Sequence, residues 1–248
     1  MTESIGQEFM RRTCYAELSD SPEELGIVPQ PPLELPLPQG VTGIALPDPA
    51  EIQVPALELR TAIAERRTLR KYSEAALTLD ELAYLLWATQ GVKKVTSRPV
   101  TLRTVPSAGA RHAFETYLLV NRVEGLTPGL YRYLAIENQI GRLPAPENIN
   151  ELLTEASLQQ SQVATSAVTF FWAAVVDRMF WRYVERGYRY LLLDAGHVCE
   201  NLALAAEQLS CGICPIAAYD DEKANRTLGL DGKSQFVIYV ASMGKKIQ

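Results

Sequence analysis

Proline is concentrated in one part of this 248-residue chain. Nine of its 15 prolines lie in the segment Ser21–Pro55. Because proline fixes φ and lacks an amide hydrogen, this segment is predicted to be neither helix nor central strand. It should be an extended arm. Within it Leu33, Leu35 and Leu37 alternate, which favours an arm docked on a surface over a floppy leader.

The composition is that of an ordinary soluble globular protein, with 47% hydrophobic residues and a net charge of −5. Nucleic-acid binding normally requires a basic surplus, so nucleic acid is not expected as a partner. The apolar stretch Ala164–Val176 is too short and too interrupted to span a bilayer. Residues 1–12 do not resemble a signal peptide, and four cysteines are too few for a disulfide framework. We predict a cytoplasmic protein with reduced thiols and no membrane partner.

The pattern after the arm mixes helices and strands. Thr78 and Glu81 form a capping-box signal for a helix that ends at Gly91. The apolar run Ala167–Val176 lacks alternation, as in a strand buried on both faces. The other main elements predicted are helices over Leu57–Arg66, Tyr188–Leu209 and Asp221–Leu228, and strands over Phe114–Asn121, Leu130–Leu134 and Gln235–Ser242, with the segment Gly212–Ala217 left without a type. This order predicts an α+β domain over residues 56–248, preceded by the arm over residues 1–55.

A basic cluster follows the first of these helices. Six consecutive residues contain four cations and one hydroxyl, supplied by Arg66, Arg67, Arg70, Lys71 and Thr68. A phosphate dianion requires several charged donors in a small volume, and arginine supplies them in a fixed fork. The alternative is that basic residues at the end of a helix complement its dipole and bind no ligand.

Small residues precede the predicted strand at Phe114. The segment Pro106-Ser107-Ala108-Gly109-Ala110 would let the backbone approach a flat ligand closely. The same residue types also mark any turn, so the segment alone is a weak signal.

Six segments in chain order together resemble the nitroreductase family of flavoproteins and, within it, the SagB-type dehydrogenase branch. The first, Glu65–Tyr72, is similar to the family's Arg-Arg-Ser-x-Arg phosphate-binding pattern. The others are Val105–His112, Gly129–Tyr133, Asp194–His197 with Asn201-Leu202, Cys214–Asp220 and Met243–Lys245. Each segment is weak by itself, whereas the ordered set covers about three-quarters of the chain and is specific.

The resemblance implies a role for most of these residues. The phosphate of FMN would be held by Arg66, Arg67, Thr68 and Arg70, with Lys245 and Lys246 arriving from the C-terminal end. Pro106, Ser107, Ala108 and Gly109 would lie against the isoalloxazine, in this family usually that of the other subunit of a homodimer. Ala217 and Ala218 match the turn whose backbone amide faces flavin N5, where a fixed dipole favours hydride transfer.

One position departs from the related azoline-oxidising enzymes. Those enzymes carry a Lys-Tyr pair before the long helix, whereas this chain has Arg182-Tyr183. Arginine stays protonated and is a poor general base, so azoline oxidation is not expected. Arg182 would instead bind an anionic substrate, with a plain surface charge as the alternative.

A zinc site is not expected among the cysteines. His197-x-Cys199 and Cys211-x-x-Cys214 have a superficial zinc-ligand spacing, but the acid and proline of a zinc deaminase motif are not in place. The cysteines are better explained as small buried hydrophobic residues.

The resemblance implies a nitroreductase-like α+β sandwich, with a central, mostly antiparallel sheet flanked by helices. It implies an FMN-dependent oxidoreductase that transfers two electrons to a small-molecule substrate in ping-pong fashion, with NAD(P)H as donor. Two alternatives stay open. One is a SagB-type dehydrogenase that oxidises a small or peptide substrate without NAD(P)H, and the other is a catalytically inactive flavin-binding homologue.

Overall fold

A computed structural model describes residues 2–247 of the chain. Its helices are α1 (Ile5–Arg12), α2 (Pro22–Leu25), α3 (Leu59–Glu65), α4 (Leu79–Gln90), α5 (Ile149–Ala156), α6 (Ser161–Thr165), α7 (Val176–Tyr183), α8 (Gly187–Gln208) and α9 (Asp221–Leu228). Its strands are β1 (Gly43–Ala45), β2 (Val92–Val95), β3 (Thr101–Arg103), β4 (Phe114–Val120), β5 (Gly129–Leu134), β6 (Gln139–Arg142), β7 (Val168–Val175), β8 (Cys211–Ile216) and β9 (Gln235–Lys245).

The main sheet has the strand order β1-β6-β5-β4-β7-β9-β8, and every neighbouring pair in it is antiparallel. Every residue of β4 and β7 is buried, as predicted for a strand covered on both faces. Because side chains alternate along a strand, Phe170 and Trp172 enter one core while Phe171 and Ala173 enter the other. The predicted α+β fold with a mostly antiparallel central sheet is therefore confirmed.

Helices cover both faces of this sheet. The first core packs β7 against α4 and α8, and the second packs it against α5 and α9. The capping box predicted at the start of α4 is present. The Thr78 hydroxyl accepts from the Glu81 amide at 3.1 Å, and the Glu81 carboxylate accepts from the Thr78 amide at 2.9 Å. Within residues 2–247, no helix combines the length and apolar character needed to cross a membrane.

The arm packs against this domain through a buried ion pair. Arg178 on α7 lies 2.5 Å from Glu115 on β4, and both side chains are 3% exposed. The same carboxylate accepts the Leu35 amide at 2.9 Å, and Arg178 donates to the Pro32 carbonyl at 2.8 Å. The arm is thus docked as predicted, and one of its alternating leucines, Leu37, packs over Gly141 on β6.

The prediction that the proline-rich segment contains no helix was wrong for one turn. Pro22 occupies the first position of α2, where its fixed φ suits a helix and its missing amide hydrogen has no partner to lose. Ser21 and Glu24 complete a capping box there. Further along the arm, β1 pairs with β6 at the edge of the main sheet, a position that does not conflict with the prediction of no central strand.

Candidate functional site

The basic cluster opens onto a cavity of about 670 Å³. Most of its lining comes from the segment after α3, and the rest comes from the C-terminal end of the chain. The lining residues are Glu65, Arg67, Thr68, Leu69, Arg70, Lys71, Lys246 and Ile247. Four cations against one carboxylate make this cavity suitable for an anion.

The edge strand β8 fixes the backbone of this segment. Thr68 forms a parallel bridge with Ile213, and the Leu69 amide donates to the Ile213 carbonyl at 2.8 Å. The Leu69 side chain covers Gly212, where any added methyl group would overlap it. The cationic side chains on either side of Leu69 are thus carried on a backbone that the main sheet immobilises.

The predicted phosphate ligands are only partly brought together. Among residues 2–247, Arg66 and Lys245 lie outside the lining of the cavity. Arg66 is the residue after α3 and caps its C-terminal end, with its amide bonded to the Ala62 carbonyl at 3.0 Å. Lys245 is engaged by Glu81 and by the Leu209 carbonyl. Lys246 does line the cavity, although its ammonium group also pairs with Glu207.

A second group of predicted site residues meets at Gly109. Its φ of +56° is in the left-handed region, and a methyl group there would lie closer to Tyr183 Oη than the 3.0 Å that real Cβ atoms keep. The same methyl group would lie 3.2 Å from Cδ and Nε of Arg182. The structure therefore places the predicted small-residue segment directly against the predicted Arg182-Tyr183 pair.

Buried polar groups hold the small-residue segment in place. The Ser107 hydroxyl accepts the His112 amide at 2.9 Å, and Asp194 on α8 accepts the Ala108 amide at 3.4 Å. Burial raises the pKa of Asp194, and the donors at Ser107 and Ala108 only partly offset that effect. Burial also lowers the pKa of His112 to about 3, with a further contribution from the charge of Arg103, so this imidazole is neutral at neutral pH.

The backbone after Tyr183 is strained. Val184 has φ +42° and ψ −134°, a conformation that a β-branched residue rarely adopts, and its side chain is 5% exposed. Such strain persists only where the surrounding packing determines the conformation, and it is often found beside functional residues. Sequence reasoning gave no signal for it.

The arm supplies a residue that sequence reasoning also missed. Glu23 on α2 lies 3.0 Å from the guanidinium of Arg182 and 3.3 Å from that of Arg98. Glu23 is 159 positions from Arg182 and 75 positions from Arg98 in the chain, so no local sequence pattern indicates either contact. Arg182 is therefore neither free nor fully exposed, since its side chain is 29% exposed beside the arm.

The two groups contact different parts of α8. Asp194 contacts the Gly109 group, while Leu209, which follows α8, contacts Lys245 near the cation-lined cavity. A helix rises about 1.5 Å per residue, so these two contacts lie about 22 Å apart along the direction of α8.

The turn predicted to face the flavin follows the end of β8. Ala217 and Ala218 are exposed, and the Ala218 carbonyl accepts from Gln160 at 2.8 Å. Ala217 lies four residues beyond Ile213, about 13 Å along an extended strand. The turn thus follows the strand that pairs with Thr68 in the lining of the cation-lined cavity.

The cysteines and His197 do not gather. Within residues 2–247, no three His, Cys, Asp or Glu side chains are placed to share a metal ion. Cys199, Cys211 and Cys214 are buried, whereas His197 is exposed. Burial raises the pKa of both Cys199 and Cys211 to about 12, which keeps these thiols protonated.

Comparison with known proteins identifies the class. Residues 63–245 match the family model described as the nitroreductase family. A protein of Methanocaldococcus jannaschii, named among the nitroreductases, is 32% identical over 204 residues, which cover 81% of this chain and 99% of that protein. The chain belongs to the nitroreductase family.

Two further relatives extend the comparison. The trifolitoxin-processing protein TfxB of Rhizobium leguminosarum bv. trifolii is 29% identical over 146 residues, 55% of this chain and 39% of that protein. A solved structure from Ralstonia eutropha, also named among the nitroreductases, aligns with a TM-score of 0.68 at 20% identity. That alignment covers 89% of this chain and all of the other, and it establishes the shared fold.

Proposed function

We propose that this nitroreductase-family oxidoreductase uses FMN and takes electrons from NAD(P)H. The observation that carries the proposal is the 670 Å³ cavity with four cations in its lining, at the position where the family motif begins. When bound there, FMN supplies two-electron chemistry, accepting a hydride equivalent from a donor and passing it to a small-molecule acceptor.

The residues of the cavity fit a phosphate group. Arg67 and Arg70 supply forked donors, Thr68 supplies a hydroxyl, and Lys246 adds a point charge. Arg66 and Lys245 would join this set only if their side chains turned towards it. The backbone that carries Arg67 and Arg70 is anchored to β8 through Thr68 and Leu69.

We further propose that two copies of the chain assemble around two flavin sites. The separation of about 22 Å along α8 supports this arrangement, because the Gly109 segment of one copy could reach the cofactor held by another. The proposal keeps the family role expected for Pro106, Ser107, Ala108 and Gly109 and for the turn at Ala217 and Ala218.

The test is the visible spectrum of the purified protein, followed by anaerobic addition of NADH and NADPH. A yellow protein that is bleached by either donor supports the proposal, and a colourless protein that takes up no FMN on reconstitution contradicts it. Arg70→Ala should weaken FMN binding by about 1.5–3 kcal/mol, the range for a hydrogen bond to a charged group. Arg60→Ala, which removes an exposed cation on α3 outside the cavity, should leave the affinity unchanged.

A second function is a dehydrogenase that oxidises its substrate without NAD(P)H. The observations that favour it are the likeness to TfxB, a toxin-processing protein by name, and the contact between Arg182-Tyr183 and Gly109. Bound flavin that neither NADH nor NADPH reduces would favour this function over the first. Even then, a permanently charged Arg182 gives no general base for azoline oxidation.

A further inference from the structure

Three arginines gather beside a carboxylate of the arm. The guanidinium groups of Arg182 and Arg98 both contact the same oxygen, Oε1 of Glu23, at 3.0 Å and 3.3 Å. Arg111 is the third, because its Nε donates to the carbonyl of Gly109, the residue that Arg182 also packs against. Glu24 is a second carboxylate nearby, since its pKa is lowered by hydrogen bonds and then by the charge of Arg182, so two negative charges face three positive charges beside the Gly109 segment.

Arg111 has an unfilled hydrogen-bonding position. The Cζ atom of its guanidinium lies 5.4 Å from the ring centroid of Trp181, and its Nε donates to the Gly109 carbonyl at 3.3 Å. Arg111 is only 3% exposed, yet its Nη2 is buried with no partner among residues 2–247. A buried charged donor without an acceptor is unfavourable, so an added acceptor here would be stabilising.

The part of the arm that carries Glu23 is held more weakly than the part that follows. Leu25, Ile27 and Val28 are 52%, 70% and 48% exposed, and the side-chain bonds between residues 22–28 and the domain are the Glu23 ion pairs and one from Trp181 to the Val28 carbonyl at 2.9 Å. The chain before this short segment is anchored separately, since Arg186 donates to the Thr13 carbonyl at 2.9 Å. The next part is fixed by the fully buried pair of Glu115 and Arg178. Segments with few buried contacts open more readily than the core.

We propose that Arg98, Arg111 and Arg182 form a binding site for the carboxylate group of a substrate, and that Glu23 fills this site in the free enzyme. The proposal rests on the proposed function, because it places the anion beside the Gly109 segment expected to face the flavin. A carboxylate is favoured over other anions because one already occupies the site, and because its two oxygens match the fork of a guanidinium. Displacing Glu23 would leave its carboxylate to solvent and give Arg111 an acceptor.

The test is calorimetric titration with benzoate, with benzamide as the uncharged probe of the same shape. The purified holoenzyme should bind benzoate and not benzamide. Glu23→Gln removes the competing charge and should lower the dissociation constant for benzoate about threefold to tenfold, because the open site no longer has to be freed first. Glu17→Gln removes the same charge from an exposed position on the arm and should change nothing.

Variants of the arginines locate the site. Arg182→Gln should raise the dissociation constant for benzoate by about tenfold or more, as expected when a charged hydrogen bond is lost. Arg98→Ala replaces a side chain that is 62% exposed, so it should fold normally and still weaken benzoate binding severalfold. Unchanged affinity in both variants, equal binding of benzamide, or identical behaviour of Glu23→Gln and Glu17→Gln would overturn the proposal.

Two further probes identify where the carboxylate comes from. N-acetyl-alanyl-alanine represents the end of a peptide, and its C-terminal amide is the matched neutral probe. Tighter binding of this peptide acid than of benzoate would support a peptide substrate, and the reverse would support a small acid. Tighter binding of inorganic phosphate than of either acid would overturn the choice of a carboxylate.

The flavin content of each sample is read from its absorbance in the same experiment. Carboxylate binding by a protein that holds no FMN would contradict the proposed function and support the anion site. A protein that holds FMN but binds no carboxylate would support the proposed function and contradict the anion site.

Discussion

Replacing Gly109 with alanine should show how tightly the small-residue segment is fitted against Tyr183. Two unfavourable effects combine at this position. A left-handed backbone costs a residue with a side chain about 1–2 kcal/mol. The added methyl group would also overlap Tyr183 Oη and touch Arg182, and such overpacking typically costs about 1–3 kcal/mol. We therefore expect the free energy of unfolding to fall by about 2–5 kcal/mol.

Gly125 provides the matched control. It also has a left-handed backbone, with φ +77°, but nothing lies within 4 Å of a methyl group placed on it. Gly125→Ala should lose only the conformational part, about 1–2 kcal/mol. Any gain from a stiffer unfolded chain is common to both variants and cancels in their difference.

The assay is denaturant unfolding at equilibrium, with Tyr183→Phe as the second arm of a double-mutant cycle. Removing the tyrosine hydroxyl removes the atom that the methyl group would overlap, so the double variant should recover much of the extra loss. The reasoning is refuted if Gly109→Ala and Gly125→Ala lose the same stability, or if Tyr183→Phe fails to rescue Gly109→Ala.

Three further results are expected. Arg178→Met should destabilise the fold by about 3–5 kcal/mol and expose the arm to proteases, because Glu115 would remain buried without its cation. Protease resistance equal to that of the unaltered protein would contradict this. The folded pKa of His112 lies below its ordinary value, so its contribution to stability is present above pH 6.5 and is lost as the pH falls towards 3. His112→Asn should therefore reduce the slope of the unfolding free energy against pH between pH 3 and 6.5 by up to about 1.4 kcal/mol per pH unit. An unchanged slope would refute this assignment. Analytical ultracentrifugation should find a dimer, and a monomer that binds FMN tightly would contradict the shared site.

The elements that could be predicted from the sequence are those with a local cause. The start of α4 follows from a capping box, and the burial of β7 follows from an uninterrupted apolar run. Helix α9 occupies the predicted range Asp221–Leu228, and α8 is displaced by only one residue at each end from the predicted range. In each case residues close in sequence determine the structure.

The features that could not be predicted depend on distant residues. The pairing of Glu23 with Arg182 joins two surfaces that meet only after the arm docks. The strain at Val184 is imposed by packing rather than by its own propensity. The sequence marked the basic cluster as a unit, but which of its members line the cavity depends on the pairing of Thr68 with β8.

The covering of the two sheet edges has a consequence for how copies of this protein can associate. The arm lays β1 along β6 at one edge, and the segment with Thr68 and Leu69 lies along β8, which also carries Pro215, at the other. Exposed strand edges invite pairing with other chains, and a short covering strand or a proline blocks such growth. Loss of the arm, or distortion of the segment around Thr68, would uncover an edge and favour aggregation, so residues expected to bind a cofactor would also protect solubility.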